Sequence, residues 1–282
     1  MPVLFSLRKL HLPVWLLCQF LSACHSRHEL AHQVADSAQL AAQIIQTTPF
    51  AVQSFVRLTP GYPLLTVYLE GDGLAWITPT RLSDDPTPKN PLALLLAAQD
   101  RSPSVAYLAR PCQYVRKEVA DPCAPRYWSN ARYAPEVVEA LAQAIRRLLQ
   151  QAGATRLRLV GYSGGGTLAL LLAPTLQPEH VVTVAAVLDT EAWTGHHQLS
   201  PLNLSLNPSS RLGEITHIQQ THWLGGQDAV VPKQLSYQAL SALPHLRHQS
   251  LREVGAFTHH CCWSDHWPSL LQQMQWYADD ER

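Results

Sequence analysis

Five consecutive residues, Gly161-Tyr162-Ser163-Gly164-Gly165, constrain this chain more tightly than any other feature. Arg156-Leu157-Arg158-Leu159-Val160 enters them and an apolar run, at 168–172, leaves them. The first reads as a buried strand and the second as a helix, so the serine sits on a sharp strand-to-helix bend. Such a bend needs small residues two before and two after the serine. It also sets a hydroxyl at a helix N-terminus, where free N–H groups and the helix dipole favour developing negative charge. A Gly-rich turn of this kind can instead bind phosphate, but no Lys-Ser/Thr pair follows the glycines, which excludes a P-loop. Ser163 is therefore the candidate nucleophile, with a strand–turn–helix unit built around it.

The rest of the chain alternates in the same way. Residues 50–57 alternate with strand period, 64–69 form an apolar run ending at Gly71-Asp72-Gly73, and 104–109 form another ending at Arg110-Pro111. Residues 135–151 repeat apolar side chains at helical spacing. Apolar strands follow at 181–188 and 221–224, then a helix at 232–243, a strand at 248–254 and a closing helix at 268–277. Strands alternating with helices imply an α/β fold with a mostly parallel central sheet flanked by helices. The irregular stretches at 83–91 and 191–208 are too short for a separate domain, so no large cap domain is expected.

A serine hydroxyl needs an adjacent base, and the base needs an orienting carboxylate. In a fold built on this bend the chain order is Ser, then Asp or Glu, then His. Asp228 follows a strand in a Gly-Gly-Gln-Asp turn and fits the carboxylate; Asp189, after the preceding strand, is the alternative. His259 and His260 both lie between the last strand and the last helix, and either could be the base. Preorganised N–H groups must receive the oxyanion. Gly164 is the expected first donor, and Asp72 or Gly73 the second, on a loop whose glycines permit close backbone approach.

The N-terminus carries a different signal. Arg8 and Lys9 precede an apolar run at residues 10–21, shorter than the roughly 20 residues that span a bilayer. The run ends at Leu21-Ser22-Ala23-Cys24. Basic, apolar and small residues in that order read as a secretory signal. The last four are similar to the lipobox of bacterial lipoproteins, in which the cysteine is lipidated; an ordinary cleavage near Ala23 or an uncleaved anchor are the alternatives. His25 after the cysteine, in place of Asp, points by the sorting rule of lipoproteins to the outer membrane. Basic and acidic side chains number 21 each, so charge gives no reason to bind nucleic acid. Of the six cysteines, Cys112 and Cys123 form the preferred disulfide, across a short Pro-containing loop. Cys261 and Cys262 either pair with each other or stay reduced, and the nearby histidines lack a zinc-ligand spacing.

Several segments together resemble a group of bacterial α/β-hydrolase-fold lipoproteins. They are Tyr68-Leu69-Glu70-Gly71-Asp72-Gly73-Leu74-Ala75-Trp76, Asp85-Pro86-Thr87-Pro88, Ala109-Arg110-Pro111-Cys112-Gln113-Tyr114, the Ser163 pentapeptide and His259-His260-Cys261-Cys262-Trp263. The resemblance implies the α/β-hydrolase fold over 49–282 and the Ser163, Asp228, His259 triad; the residues before it read by their own pattern as a signal peptide at 1–23 and a tether with a short helix at 24–48. The resemblance favours His259 over His260 as the base. It supplies no substrate; the Ser163, Asp228 and His259 order itself reads as hydrolysis of a carboxylic ester or related acyl compound, without metal or organic cofactor, by a monomer anchored in the cell envelope through Cys24. Peptidase or acyltransferase chemistry would use the same side chains, and a binding lipoprotein would have kept the fold without turnover. Arg110, Gln113, Tyr127 and Trp128 either line the cleft or pack the disulfide loop.

Overall fold

The computed structural model describes residues 26–115, 122–243, 245 and 250–278. The signal segment and Cys24 lie outside the described residues. Eight strands form one sheet: β1 (Ala41–Gln46), β2 (Ala51–Arg57), β3 (Leu64–Leu69), β6 (Val105–Leu108), β7 (Arg156–Tyr162), β8 (His180–Val184), β9 (Gln219–Gly225) and β10 (Leu251–Val254). Their spatial order is β1-β2-β6-β3-β7-β8-β9-β10. Only β2 runs against the others, pairing antiparallel with both β1 and β6. A small hairpin, β4 (Trp76–Thr78) and β5 (Arg81–Leu82), stands apart from the sheet.

Helices cover both faces, which is why every residue of β3 is buried. Leu65, Val67 and Leu69 point to one side, where α3 (Pro135–Ala152) and α4 (Gly164–Leu176) pack. Tyr68 points to the other, where α1 (Arg27–Ser37), α2 (Leu92–Gln99) and the last helix, α7 (Trp263–Gln273), pack. α3 shows the strong apolar stripe of a helix with one wet face, whereas α4 is buried along its first ten residues. α5 (Thr190–His196) and α6 (Lys233–Ala239) follow β8 and β9 in the chain.

Three sequence expectations need correction. The segment at 24–48, read as a tether with a short helix, contains that helix as α1 and also β1, which pairs along its full length with β2, so the sheet begins before residue 49. β1 is an edge strand of two Ala, two Gln and two Ile in which Ile45 is buried and Ile44 exposed, which leaves little apolar periodicity to read, and α1 buries Ala31 and Ala35. The stretch at 191–208 is not wholly irregular, because Asp189 caps α5 by accepting from the N–H groups of Glu191 (3.0 Å) and Ala192 (3.1 Å). The closing helix starts at Trp263, five residues before Pro268, which lies inside it.

Cys112 and Cys123 are bonded, with Cα atoms 5.6 Å apart. Cys261 and Cys262 are also bonded to each other.

Two buried histidines link neighbouring strands beneath the C-terminal half of the sheet. His180 meets Thr221 Oγ1 at 3.0 Å and His222 meets Thr183 Oγ1 at 2.9 Å. Burial pushes His180 down to about 3, helped by the charge of Arg158, and pushes His222 down to about 4. Above pH 6.5 both are neutral whether folded or not. Below it the unfolded chain takes up protons that the folded chain refuses, so each removes about 1.4 kcal/mol per pH unit until its folded pKa is reached.

Candidate active site

β7 delivers the chain into the bend and α4 takes it away. Ser163 adopts φ 51° and ψ −120°, a conformation costly for any residue with a Cβ, and its N–H donates to Val184 O at 2.8 Å. The surrounding glycines are obligatory. A Cβ at Gly161 would lie 2.2 Å from Gly165 O, and one at Gly165 would lie 2.1 Å from Leu69 O at the end of β3. Both obstacles are backbone and cannot move aside.

Asp228 sits on the turn after β9, and His259 on the loop between β10 and α7. They meet at Ser163. His259 Nδ1 lies 2.8 Å from Asp228 Oδ2, and His259 Nε2 lies 3.1 Å from Ser163 Oγ. The Asp228 side chain is fully buried, and its Oδ1 accepts from the N–H groups of Val230 (2.8 Å) and Val231 (2.7 Å). Those two bonds aim Oδ2 at the imidazole. The carbonyl of His259 in turn accepts from Trp263 Nε1 at 3.1 Å, with a second bond from that indole to Thr258 O at 3.0 Å, so the loop is pinned to the start of α7.

The alternatives have other partners. His260 is exposed and lines the same cleft, but its Nδ1 is engaged by Tyr162 Oη at 3.0 Å, whereas His259 makes the bonds to Ser163 and Asp228. Asp189 is occupied as the α5 cap and also accepts from Asn207 Nδ2 at 2.9 Å. Gly164 opens α4, where the first N–H groups have no partner within the helix. The Glu70-Gly71-Asp72-Gly73 loop leaves β3 directly beside it: a Cβ on Gly164 would lie 2.1 Å from Asp72 Oδ1. Gly73 has φ +65°, and a Cβ there would lie 2.1 Å from Pro86 O.

The four aromatic and polar residues of the disulfide region divide. Gln113 Nε2 donates to Gly71 O at 3.0 Å and Arg110 bonds the Asp72 carboxylate, so both hold the loop after β3. Trp128 donates to Ser83 O at 2.9 Å and Tyr127 packs edge-on against Phe50; both belong to the packing around the disulfide.

These groups open into a cleft of about 520 Å³. Ser163, His259 and Asp72 line it together with Tyr133, Trp193 and Lys89. Sequence reading missed Tyr133, which stands alone before α3 without a motif, and Glu70, which looked like part of a turn. Glu70 is fully buried at the end of β3. Burial pushes its carboxyl up to about 7, against hydrogen bonds from Gly71 N, Ala93 N and Tyr107 Oη that favour the charged form. The folded chain thus holds a proton there between pH 4.5 and 7 that the unfolded chain has lost, and this contribution fades as pH rises through 7. Glu70 therefore opposes His180 and His222 in that window. Two histidines outweigh one carboxyl, so the urea midpoint is expected to fall from pH 6.5 to 4.5. Glu70→Gln is expected to steepen the fall, and an unchanged slope would contradict the assignment.

No family model matches the chain, and no curated protein matches it. Solved structures do. The chain is similar to a member of the α/β serine hydrolases without a lid from Xanthomonas campestris, at 16% identity and TM-score 0.53, over 84% of this chain and 94% of that one. It is similar to the α/β hydrolase GrgF from Penicillium sp. sh18, at 11% identity and TM-score 0.59, over 83% and 95%. It is also similar to Est1E from Butyrivibrio proteoclasticus, at 11% and 0.53, over 83% and 97%. At these identities the likeness defines the fold. The chain has the α/β-hydrolase fold, with an eight-stranded, mostly parallel sheet and, among the described residues, no large cap domain.

Proposed function

We propose that the protein is a serine hydrolase that cleaves carboxylic esters or related acyl compounds, acting in the bacterial cell envelope from a lipid anchor at Cys24. One observation supports the chemistry above all others: His259 bridges Ser163 Oγ and a buried Asp228 carboxylate at 3.1 and 2.8 Å. Ser163 Oγ attacks the acyl carbonyl as His259 Nε2 takes its proton. Asp228 holds the ring with Nδ1–H toward Oδ2 and stabilises the imidazolium that results. The carbonyl oxygen becomes an oxyanion, received by the N–H of Gly164 and that of Asp72. His259 then returns the proton to the leaving alkoxide, and a water molecule activated by the same ring releases the acyl group. The proton transfers use side chains already at bonding distance. An open cleft of about 520 Å³ suits a small or medium acyl group.

A panel of short-acyl aryl esters and short peptides, offered to the purified chain and to Ser163→Ala, tests the reading. Ester turnover by the parent alone supports it. Turnover of peptides and not esters would assign a peptidase, and turnover of neither would leave a binding protein. Intact mass of the protein taken from membranes tests the anchor: a species cleaved before Cys24 and bearing acyl chains is expected, and a cleaved species without them would refute anchoring.

A further inference from the structure

A buried ionic cluster abuts the bend that carries Ser163. Asp72 Oδ1 accepts from Arg110 Nη1 and from Tyr133 Oη at 3.3 Å, and Oδ2 accepts from Arg132 Nη1 at 2.6 Å. The guanidiniums are themselves fixed, since Arg110 Nη2 donates to Arg132 O and Arg132 Nε donates to Ser129 O at 2.7 Å. Their side chains are only 5% and 8% exposed, against 24% for Asp72. The carboxylate is in contact distance of Gly164, where a Cβ would lie 2.1 Å from Oδ1 and 2.8 Å from Tyr133 Oη.

This placement is paradoxical for the proposed chemistry. Gly164 and Asp72 supply the N–H groups that face the oxyanion, yet a carboxylate stands beside both. Unpaired, it would repel the negative charge that develops during acyl transfer, with little water between to screen it. Two guanidiniums against one carboxylate leave the cluster with a formal charge of +1. Burial alone would raise the Asp72 carboxyl, but Arg132 and Arg110 more than offset this and hold it below the ordinary carboxylate range.

We infer that Arg110 and Arg132 are positioning residues for acyl transfer: they convert Asp72 from an anion that would oppose the oxyanion into the mount that fixes its donor loop. The inference rests on Ser163 being the nucleophile. It goes beyond that reading in giving the oxyanion site a charge balance set by side chains that do not touch substrate.

Steady-state kinetics on a short-acyl aryl ester test it, comparing the parent with Arg132→Gln, Arg132→Lys and the double variant Arg132→Gln/Asp72→Asn, with thermal midpoints measured alongside. Gln keeps hydrogen-bonding groups and removes the charge, so kcat is expected to fall about 100-fold with KM changed by less than about threefold. Lys restores the charge and is expected to recover most of kcat. Arg132→Gln lowers the cluster's formal charge from +1 to 0, whereas the double variant keeps Arg110 and loses the carboxylate, returns the charge to +1 and is expected to regain at least about tenfold over Arg132→Gln. A purely structural role predicts the opposite, a double variant as poor as the single one or worse. If Arg132→Gln fails to fold, Arg110→Gln with and without Asp72→Asn poses the same question on the other carboxylate oxygen. A parent without activity would sink the Ser163 reading itself. An active parent whose variants keep kcat within about threefold, lose only KM, or show no recovery in the double variant would overturn the cluster's role alone.

Discussion

Replacing His259 by alanine is expected to lower ester turnover by roughly four to six orders of magnitude, while His260→Ala leaves it within about threefold. The two imidazoles are adjacent in sequence, and their rings lie 5.0 Å apart. Only one of them bridges the serine and the carboxylate. His259 Nε2 is 3.1 Å from Ser163 Oγ with Asp228 behind it, whereas His260 Nδ1 faces Tyr162 Oη at 3.0 Å. Geometry decides between them: a base must lie within reach of the proton it removes. Asp228→Asn is expected to retain the fold and lose about four orders of magnitude, because an amide at that position stabilises the wrong tautomer of His259. kcat and KM measured on one ester across the three variants check this ordering. Full loss in His260→Ala with activity kept in His259→Ala would reassign the base.

The second large effect concerns stability. Gly165→Ala is expected to destabilise the protein by more than about 3 kcal/mol, because the added carbon would sit 2.1 Å from Leu69 O, a backbone atom in the middle strands of the sheet. Gly161→Ala meets Gly165 O at 2.2 Å and is expected to behave alike. Relief would require β7 and α4 to separate, which would also displace Ser163 from His259, so activity falls with stability. Gly195→Ala provides the control, since nothing lies within 4 Å of a Cβ there and the residue is in α5. Helix propensity predicts neutrality or a gain of up to about 1 kcal/mol at that site. Chemical denaturation of the three variants separates the cases, and a neutral Gly165→Ala would contradict the tight contact between the bend and β3.

What could be read in advance follows from how local each signal is. The Ser163 pentapeptide encodes its own geometry, because Gly161 and Gly165 leave room for two backbones to touch. Asp228 and His259 were legible because chain order and strand endings place them, although only the family resemblance preferred His259 to its neighbour. The pairing of Cys112 with Cys123 was legible as a preference from loop length. β1 was not readable, since its adjacent Ile44 and Ile45 break the alternation of apolar and polar side chains and the strand joins the sheet edge through its backbone pairing with β2. The Asp72 cluster was not readable either. Its members are 38 and 60 residues from Asp72 in sequence, and no local pattern announces a contact made by three separate loops. Asp189 stood only as the alternative to Asp228: a carboxylate after a parallel strand can orient a histidine or cap a helix, and here it caps α5 through the N–H groups of Glu191 and Ala192, with Asn207 Nδ2 as a further donor.

Labelling with a fluorophosphonate, followed by peptide mass mapping, tests the central claim most directly, because the reagent bonds only to a serine whose proton is being taken. The expected result is one adduct on Ser163 in the parent, none in Ser163→Ala, and none in His259→Ala despite its intact serine. A folded parent that stays unlabelled, or an adduct on any other residue, would contradict the account.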